Sequence, residues 1–186
     1  MLDPARAREI RLFGFDVDGV LTDNGLYVAV EAGHRVETKR YDARDGVAFD
    51  LLRQAGIDVA WVSGRTSPAT TERARELNVT EVIQDAGRGF KLPAVKDLLQ
   101  RKGLTWRQFA FVGDDLADIP VLRRAGLPIA VDNAVAEVKA QAAWTSGLAG
   151  GHGAVREVVE AFLRARGEWD GLVRKYLDER GDQDAG

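Results

Sequence analysis

The sequence predicts an α/β protein: a three-layer αβα sandwich around a Rossmann-like parallel sheet. Short apolar runs alternate with amphipathic helical patterns along most of the chain, and this alternation is typical of βα units whose strands pair in parallel. The chain has 186 residues, 45% of them hydrophobic. That is enough for one sizeable core, and we expect a single domain over residues 1–186 with a β-hairpin inserted after the first strand.

Five apolar runs predict the strands of the sheet. They span residues 10–15, 58–62, 81–84, 108–112 and 127–131. Between and after them, apolar residues recur at helical spacing, and several of these segments have proline in the first turn or glycine after the last. The predicted helices span residues 45–55, 68–77, 92–102, 119–125, 135–142 and 154–166.

Two segments depart from this alternation. In residues 26–41, two β-prone stretches (27–30 and 35–39) flank a short turn segment, which predicts a β-hairpin within the first crossover. It is too small for a cap domain. The C-terminal tail, residues 167–186, carries apolar residues at helical spacing as far as Leu177. We expect the last six residues to be disordered.

The composition excludes several classes of protein. The net charge of −3 argues against a nucleic-acid partner, which usually requires a basic face. The chain has no cysteine, so disulfides and thiolate metal sites are excluded. The N-terminal residues lack the apolar core of a signal peptide, and no apolar run approaches the ~20 residues that span a bilayer. We expect a soluble cytoplasmic protein with no membrane partner.

Polar residues follow the predicted strands where each one ends. In parallel sheets, ligands bind beyond the carboxyl ends of the strands, so we expect these side chains to lie close together. They are Asp16 and Asp18 after the first strand, Ser63, Gly64 and Arg65 after the second, Lys91 after the glycine-rich segment 85–90 that follows the third, and Asp114, Asp115 and Asp118 after the fourth.

So many carboxylates predict a metal ion. Asp16 and Asp18 are two residues apart, so their side chains leave an extended strand on the same side. Carboxylates this close repel, and one would take up a proton unless a cation compensates. Oxygen ligands without cysteine or histidine favour Mg²⁺, which also leaves a position for a substrate phosphate.

These residues together predict phosphoryl transfer. Asp16 is expected to attack phosphorus and form an aspartyl-phosphate. Asp18 is expected to protonate the leaving alcohol and then to activate water. Ser63 and nearby backbone N–H groups would bind phosphate oxygens, and Lys91 would neutralise charge on the phosphoryl group and on Asp16.

The same residues resemble the four motifs of the haloacid dehalogenase superfamily. Residues 15–22 (Phe-Asp-Val-Asp-Gly-Val-Leu-Thr) are similar to its first motif, Ser63 to its second, Lys91 to its third, and residues 113–118 (Gly-Asp-Asp-Leu-Ala-Asp) to its fourth. Over residues 10–167 the chain resembles the cap-less branch of this superfamily. That branch includes phosphatases of sugar-acid phosphates such as 3-deoxy-D-manno-octulosonate 8-phosphate, an intermediate of lipopolysaccharide biosynthesis.

The resemblance implies particular roles and an assembly. Mg²⁺ would be held by Asp16, the backbone carbonyl of Asp18, and Asp114, with Asp115 and Asp118 supporting these ligands. Asp18, Ser63, Gly64, Arg65 and Lys91 would contact the substrate, and Arg65, His152 and Arg156 would meet its acidic sugar. It also implies a homotetramer in which the inserted hairpins of four subunits form a small barrel beside the active sites.

Three alternatives stay open at this point. The substrate could be another sugar phosphate, for example a nonulosonate 9-phosphate, hydrolysed by the same mechanism. The chain could instead be a non-catalytic oligomerisation module of the same fold, or a receiver domain that holds a stable aspartyl-phosphate. The presence of Asp16, Asp18, Lys91 and Asp114 favours an enzyme, since a degenerate module is expected to lose one of them.

Overall fold

A computed structural model describes residues 1–85 and 90–181 of the chain. Six parallel strands form the central sheet, and two antiparallel strands form a separate hairpin. In chain order the strands are β1 (Leu12–Asp16), β2 (Tyr27–Glu31), β3 (His34–Thr38), β4 (Asp58–Val62), β5 (Glu81–Ile83), β6 (Phe109–Gly113), β7 (Leu127–Ala130) and β8 (Trp144–Thr145). The order across the sheet is β5-β4-β1-β6-β7-β8, which confirms the predicted α/β class.

Helices cover the sheet in two groups. The helices are α1 (Pro4–Glu9), α2 (Arg44–Gln54), α3 (Pro68–Glu76), α4 (Lys91–Lys102), α5 (Ile119–Leu122), α6 (Ala136–Lys139), α7 (Ala154–Arg166) and α8 (Trp169–Asp178). In one group α1, α2, α7 and α8 pack against each other, and in the other group α5 packs against α4 and α6. The described residues contain no cap domain, and none of their helices is both long and apolar enough to cross a membrane.

β1 lies inside the sheet, between β4 and β6, and every one of its residues is buried. Phe13 and Phe15 stack on the same face of the strand with ring centroids 4.9 Å apart. Phe162 of α7 and Phe49 of α2 meet these rings edge-on. Aromatic contacts of this kind bury large apolar areas, so they fix the helices and the carboxyl end of β1 relative to each other.

The inserted hairpin, β2–β3, is present as predicted. Ala32 and Gly33 form its turn with φ of 49° and 82°, as in the two-residue turns that suit the twist of paired strands. Thr22 and Tyr41 form an isolated antiparallel bridge at the base of the hairpin. Its apolar residues are exposed, most of all Val30 at 73%.

The differences from the predicted elements concern short segments. α1 and the two-residue strand β8 were not predicted, because neither is long enough to show a periodic pattern. The helices predicted over 119–125 and 135–142 are single turns, α5 and α6. In the tail, α8 confirms the helical spacing, and Trp169 is buried. Residues 86–89 of the glycine-rich segment, and the predicted disorder from residue 182 onward, lie outside the described residues.

Candidate active site

The carboxyl ends of three adjacent strands, β4, β1 and β6, meet at one cleft of about 270 Å³. All of the predicted strand-end residues and Lys91 line it: Asp16, Asp18, Ser63, Gly64, Arg65, Lys91, Asp114, Asp115 and Asp118. The cleft is also lined by Asn24 and Ala117. The parallel sheet therefore brings together residues that are up to 102 positions apart in the sequence, from Asp16 to Asp118.

Lys91 lies between two carboxylates at the floor of the cleft. Its Nζ donates to Oδ1 of Asp16 at 2.5 Å and to Oδ1 of Asp118 at 2.7 Å. Burial alone would lower the pKa of Lys91, but the charges of Asp16 and Asp118 outweigh it and raise that pKa above its ordinary value. The lysine is therefore a fixed positive charge beside Asp16.

The carboxylates of Asp16, Asp114 and Asp118 converge, each offering an oxygen within 4.8 Å of the others. Burial, followed by the charge of Asp118, raises the pKa of Asp16 well above its ordinary value. The same two causes raise the pKa of Asp114 to about 7. Oδ1 of Asp114 is buried and has no hydrogen-bond partner among the described residues. One lysine does not compensate three acids, so the site fits a cation beside Asp16 and Asp114.

Asp118 differs from the other two acids because both of its oxygens are already engaged. Oδ1 accepts from Lys91, and Oδ2 accepts from the backbone N–H of Asp114 at 2.9 Å and of Asp115 at 3.3 Å. The carboxylate of Asp115 accepts from the N–H of Leu116 and begins a short helical turn. Asp118 thus holds the backbone from which the Asp114 side chain leaves.

Asp18 points toward the hairpin rather than toward Asp16. Its Oδ1 accepts from Nζ of Lys39 at 2.6 Å, and the Lys39 side chain is 1% exposed. Its Oδ2 lies 3.5 Å from the hydroxyl of Ser63 and 3.8 Å from Nε of Arg65. The Ser63 hydroxyl also accepts from the N–H of Arg65 at 3.0 Å, so it shapes the turn after β4.

Arg65 is held by a second residue of the hairpin. Its Nη2 donates to Oε2 of Glu37 at 3.0 Å, and Glu37 also accepts from Arg35 at 3.1 Å. Oε1 of Glu37 is buried without a hydrogen-bond partner among the described residues and lies 4.0 Å from Nζ of Lys39. Two ion pairs, Glu37–Arg65 and Lys39–Asp18, therefore connect the hairpin to the cleft.

The loop that carries Asp18 is packed backbone against backbone. Gly19 has φ of 96°, and a Cβ there would lie 1.9 Å from Oδ2 of Asp114. Asn133 donates to the carbonyl of Gly19 at 2.9 Å and accepts from the N–H of Gly150 at 2.7 Å. A Cβ on Gly150 would lie 1.9 Å from the same Gly19 carbonyl. Glycine is required at both positions by this approach.

Sequence reasoning missed Lys39, Glu37 and Asn133. The strand-end rule had the signal for Asn133, which follows the predicted strand 127–131. Nothing in the sequence indicated which residues the charged side chains of Lys39 and Glu37 would contact. The guanidinium of Arg156 lies over the ring of Trp169, 5.1 Å from the centroid, and does not line the cleft of a single chain, so its expected contact with a sugar acid stays a prediction.

The parallel sheet, the hairpin insertion and the cluster of strand-end aspartates with one buried lysine define a haloacid dehalogenase-like hydrolase. The family model of haloacid dehalogenase-like hydrolases matches residues 86–157. The chain is 37% identical to the 3-deoxy-D-manno-octulosonate 8-phosphate phosphatase KdsC of Escherichia coli over 166 residues, which are 89% of this chain and 86% of that protein.

Solved structures agree with this relationship. The phosphatase of the same name from Moraxella catarrhalis, in complex with magnesium ion, phosphate ion and KDO, has a TM-score of 0.85 and 34% identity, covering 93% of this chain and 97% of that one. The cobalt-bound enzyme of Haemophilus influenzae has a TM-score of 0.81 and 34% identity, covering 88% and 93%. The chain therefore belongs to the family of haloacid dehalogenase-like phosphatases that includes KdsC.

Proposed function

We propose that this chain hydrolyses the phosphate monoester of a sugar acid, 3-deoxy-D-manno-octulosonate 8-phosphate, with Mg²⁺ and through an aspartyl-phosphate on Asp16. The single observation that carries the chemistry is the buried Asp16 carboxylate at the end of β1, paired with Lys91 and beside Asp114, which has an unpartnered oxygen. The substrate rests on the relatives, since the Escherichia coli enzyme is named for it and the Moraxella catarrhalis structure contains KDO.

Mg²⁺ would be held by Asp16, the backbone carbonyl of Asp18, and Asp114. Asp118 is better suited to support these ligands, because Lys91 and two backbone N–H groups occupy both of its oxygens. When bound, the ion supplies positive charge to the phosphoryl oxygens and relieves the repulsion between the buried carboxylates. The raised pKa values of Asp16 and Asp114 support this assignment, since they report acids that lack compensation.

The two steps use the remaining residues of the cleft. An oxygen of Asp16 attacks phosphorus, the bond from phosphorus to the sugar oxygen breaks, and Asp18 gives its proton to that oxygen. Water then attacks the aspartyl-phosphate, Asp18 takes up a proton from the water, and phosphate leaves with Asp16 restored. Ser63, Gly64 and Arg65 would hold the phosphate and the adjoining sugar, and Lys91 would stabilise the charge on the transferring group.

We also propose that the enzyme is a cytoplasmic homotetramer assembled through the hairpins. Tyr27, Val28 and Val30 are 53%, 50% and 73% exposed. Exposed apolar residues on a short two-stranded ribbon favour contact with another protein surface. Val28 and Val30 leave one face of the hairpin and Tyr27 leaves the other. Four copies of β2–β3 packed as a barrel would cover one of these faces and fix the hairpins beside the clefts.

Hydrolysis of a panel of sugar phosphates tests the function. With Mg²⁺, we expect the octulosonate 8-phosphate to be hydrolysed with a kcat/KM well above that of nonulosonate 9-phosphates and hexose phosphates. Asp16→Asn should lower activity by more than about 10⁴-fold, since an amide is a poor nucleophile. Preference for a nonulosonate would reassign the substrate. Undiminished activity of Asp16→Asn would refute the mechanism.

A further inference from the structure

We propose that Lys39 is a positioning residue for Asp18. Its ammonium group, 2.6 Å from Oδ1, fixes the direction of the Asp18 carboxyl group that protonates the leaving oxygen. This inference rests on the proposed function, because it takes the proton transfer by Asp18 as given. It assigns a role in the reaction to the inserted hairpin, which lies outside the sheet and its strand ends.

Lys39 is buried and has one close partner. The Lys39 side chain is 1% exposed, and its Nζ lies 2.6 Å from Oδ1 of Asp18. A buried ammonium group is strongly unfavourable unless a carboxylate or other acceptors compensate it. The other carboxylate in range, that of Glu37, is 4.0 Å away and also accepts from Arg65. Asp18 is therefore the principal partner of Lys39 in the described part of the chain.

The backbone of the hairpin sets the direction of the Lys39 side chain. Side chains alternate along a strand, so Arg35, Glu37 and Lys39 leave on the same side of β3 and its extension. Lys39 lies two residues before Tyr41, whose backbone pairs with Thr22 in the chain segment that follows Asp18. The phenol of Tyr41 is 3.0 Å from the hydroxyl of Thr70. The base of the hairpin is thus anchored on both sides.

The other contacts of Asp18 are weaker than its contact with Lys39. The Ser63 hydroxyl is 3.5 Å from Oδ2, at the limit of a hydrogen bond. Nε of Arg65 is 3.8 Å away, on a side chain that is 45% exposed. Water screens such a partner much more than it screens the buried Lys39. Lys39 consequently has the largest influence on where the Asp18 carboxyl group points.

The orientation of Asp18 affects the first step of the reaction in a way that depends on the leaving group. When the bond from phosphorus to the leaving oxygen breaks, a proton passes from Asp18 to that oxygen, and Asp18 changes from neutral to negative. A carboxyl group that Lys39 holds in one direction can deliver this proton without first reorienting. A basic leaving group needs this proton more than an acidic one does. Loss of Lys39 should therefore slow the reactions of basic leaving groups selectively.

Two aryl phosphates of similar shape provide the test. Phenyl phosphate has the more basic leaving group, and p-nitrophenyl phosphate the more acidic one. The value of kcat/KM with Mg²⁺ reports only the steps through formation of the aspartyl-phosphate, so it isolates the proton donation. For Lys39→Met we expect kcat/KM for phenyl phosphate to fall at least tenfold more than kcat/KM for p-nitrophenyl phosphate. Asp18→Asn should show the same selectivity to a greater extent.

Matched variants separate positioning from structure. Arg35→Met removes the same charge from the same side of β3, and it should leave the ratio of the two kcat/KM values within twofold of wild type. Lys39→Arg should restore most of the ratio, and Lys39→Gln, whose side chain is one bond shorter and does not reach Oδ1 of Asp18, should not. In the Asp18→Asn background, Lys39→Met should add less than twofold, because its effect passes through Asp18.

The outcomes distinguish this inference from the proposed function. Equal losses for both substrates in Lys39→Met, or additive losses in the double variant, would overturn the role of Lys39 while leaving the phosphatase intact. If the wild-type protein with Mg²⁺ hydrolyses neither aryl phosphate nor any sugar phosphate, the proposed function itself fails. If Lys39→Met does not fold, the same comparison is made with Lys39→Gln.

Discussion

The ammonium nitrogen of Lys91 lies 2.5 Å from Oδ1 of Asp16, and both side chains are almost fully buried. Lys91 begins α4, whereas Asp16 ends β1, so the pair joins the first residue of one element to the last residue of another. Its positive charge also reaches Asp118. The stability of the site therefore depends on one lysine that faces several acids.

Lys91→Met should destabilise the protein and inactivate it. Removing one partner of a buried ion pair typically costs about 3–5 kcal/mol, because the remaining charge is left uncompensated. Urea unfolding measures this cost, and phosphatase assays with Mg²⁺ measure the loss of activity. Lys102→Met is the control, since Lys102 pairs with Asp58, which is 57% exposed, and should cost less than about 1 kcal/mol. Equal costs for the two variants would contradict the importance of burial.

Mg²⁺ should stabilise the protein more as pH rises from 5 to 8. The folded protein raises the pKa of Asp114 to about 7, so below that pH it binds a proton that the unfolded chain releases. Without metal, stability should fall as pH rises from about 4 to about 7. A bound cation removes this penalty and adds its own binding energy.

Thermal unfolding with EDTA and with Mg²⁺, at several pH values, measures this difference. Asp114→Asn should show little response to Mg²⁺ at any pH. A Mg²⁺ effect of the same size at pH 5 and pH 8 would contradict the assignment of Asp114 to the metal.

Asp45 should give a second pH dependence that Mg²⁺ does not remove. Its Oδ1 accepts from the N–H of Arg156 at 2.9 Å and joins α2 to α7, while its Oδ2 is buried without a partner among the described residues. Burial raises the pKa of Asp45 to about 7. Since the folded pKa is the higher one, stability should decline by up to about 1.4 kcal/mol per pH unit as pH approaches 7 from below.

Asp45→Asn should flatten this slope in the presence of Mg²⁺, as measured by urea unfolding at pH 5, 6, 7 and 8. Asp42→Asn is the control. The hydrogen bond from Arg44 lowers the pKa of Asp42 to about 2, so its contribution is constant over this range. An unchanged slope in Asp45→Asn would show that another group titrates.

The hairpin should control the oligomeric state. Val30→Lys places a charge on the most exposed valine of β2 and should reduce the mass in solution from that of a tetramer to that of a smaller species, as measured by light scattering. Val36→Lys, on the opposite face of the hairpin, shows which face is used, since Val30 pairs with Arg35 in the register. A wild-type protein that is monomeric at micromolar concentration would contradict the tetramer.

The sheet and the cleft could be predicted from the sequence because both depend on local signals. Apolar runs mark strands, and parallel pairing sends every strand end to the same edge, so Asp16, Ser63 and Asp114 could be placed together without coordinates. The positions of Lys39 and Glu37 could not be predicted, since the periodicity of a sequence does not indicate how an inserted hairpin packs against the sheet. The contact of Arg156 with Trp169 could not be predicted for a related reason, because Trp169 belongs to a tail whose packing is a tertiary property.

The alternation of side chains along β3 sets a rule for how its length can vary. Lys39 and Glu37 reach inward to the cleft, while Val36 and Thr38 leave on the other side of the same strand. Inserting or deleting one residue between Val36 and Lys39 would exchange these two sets. Homologous hairpins that keep the inward lysine should therefore vary in length at the turn, or by an even number of residues within β3.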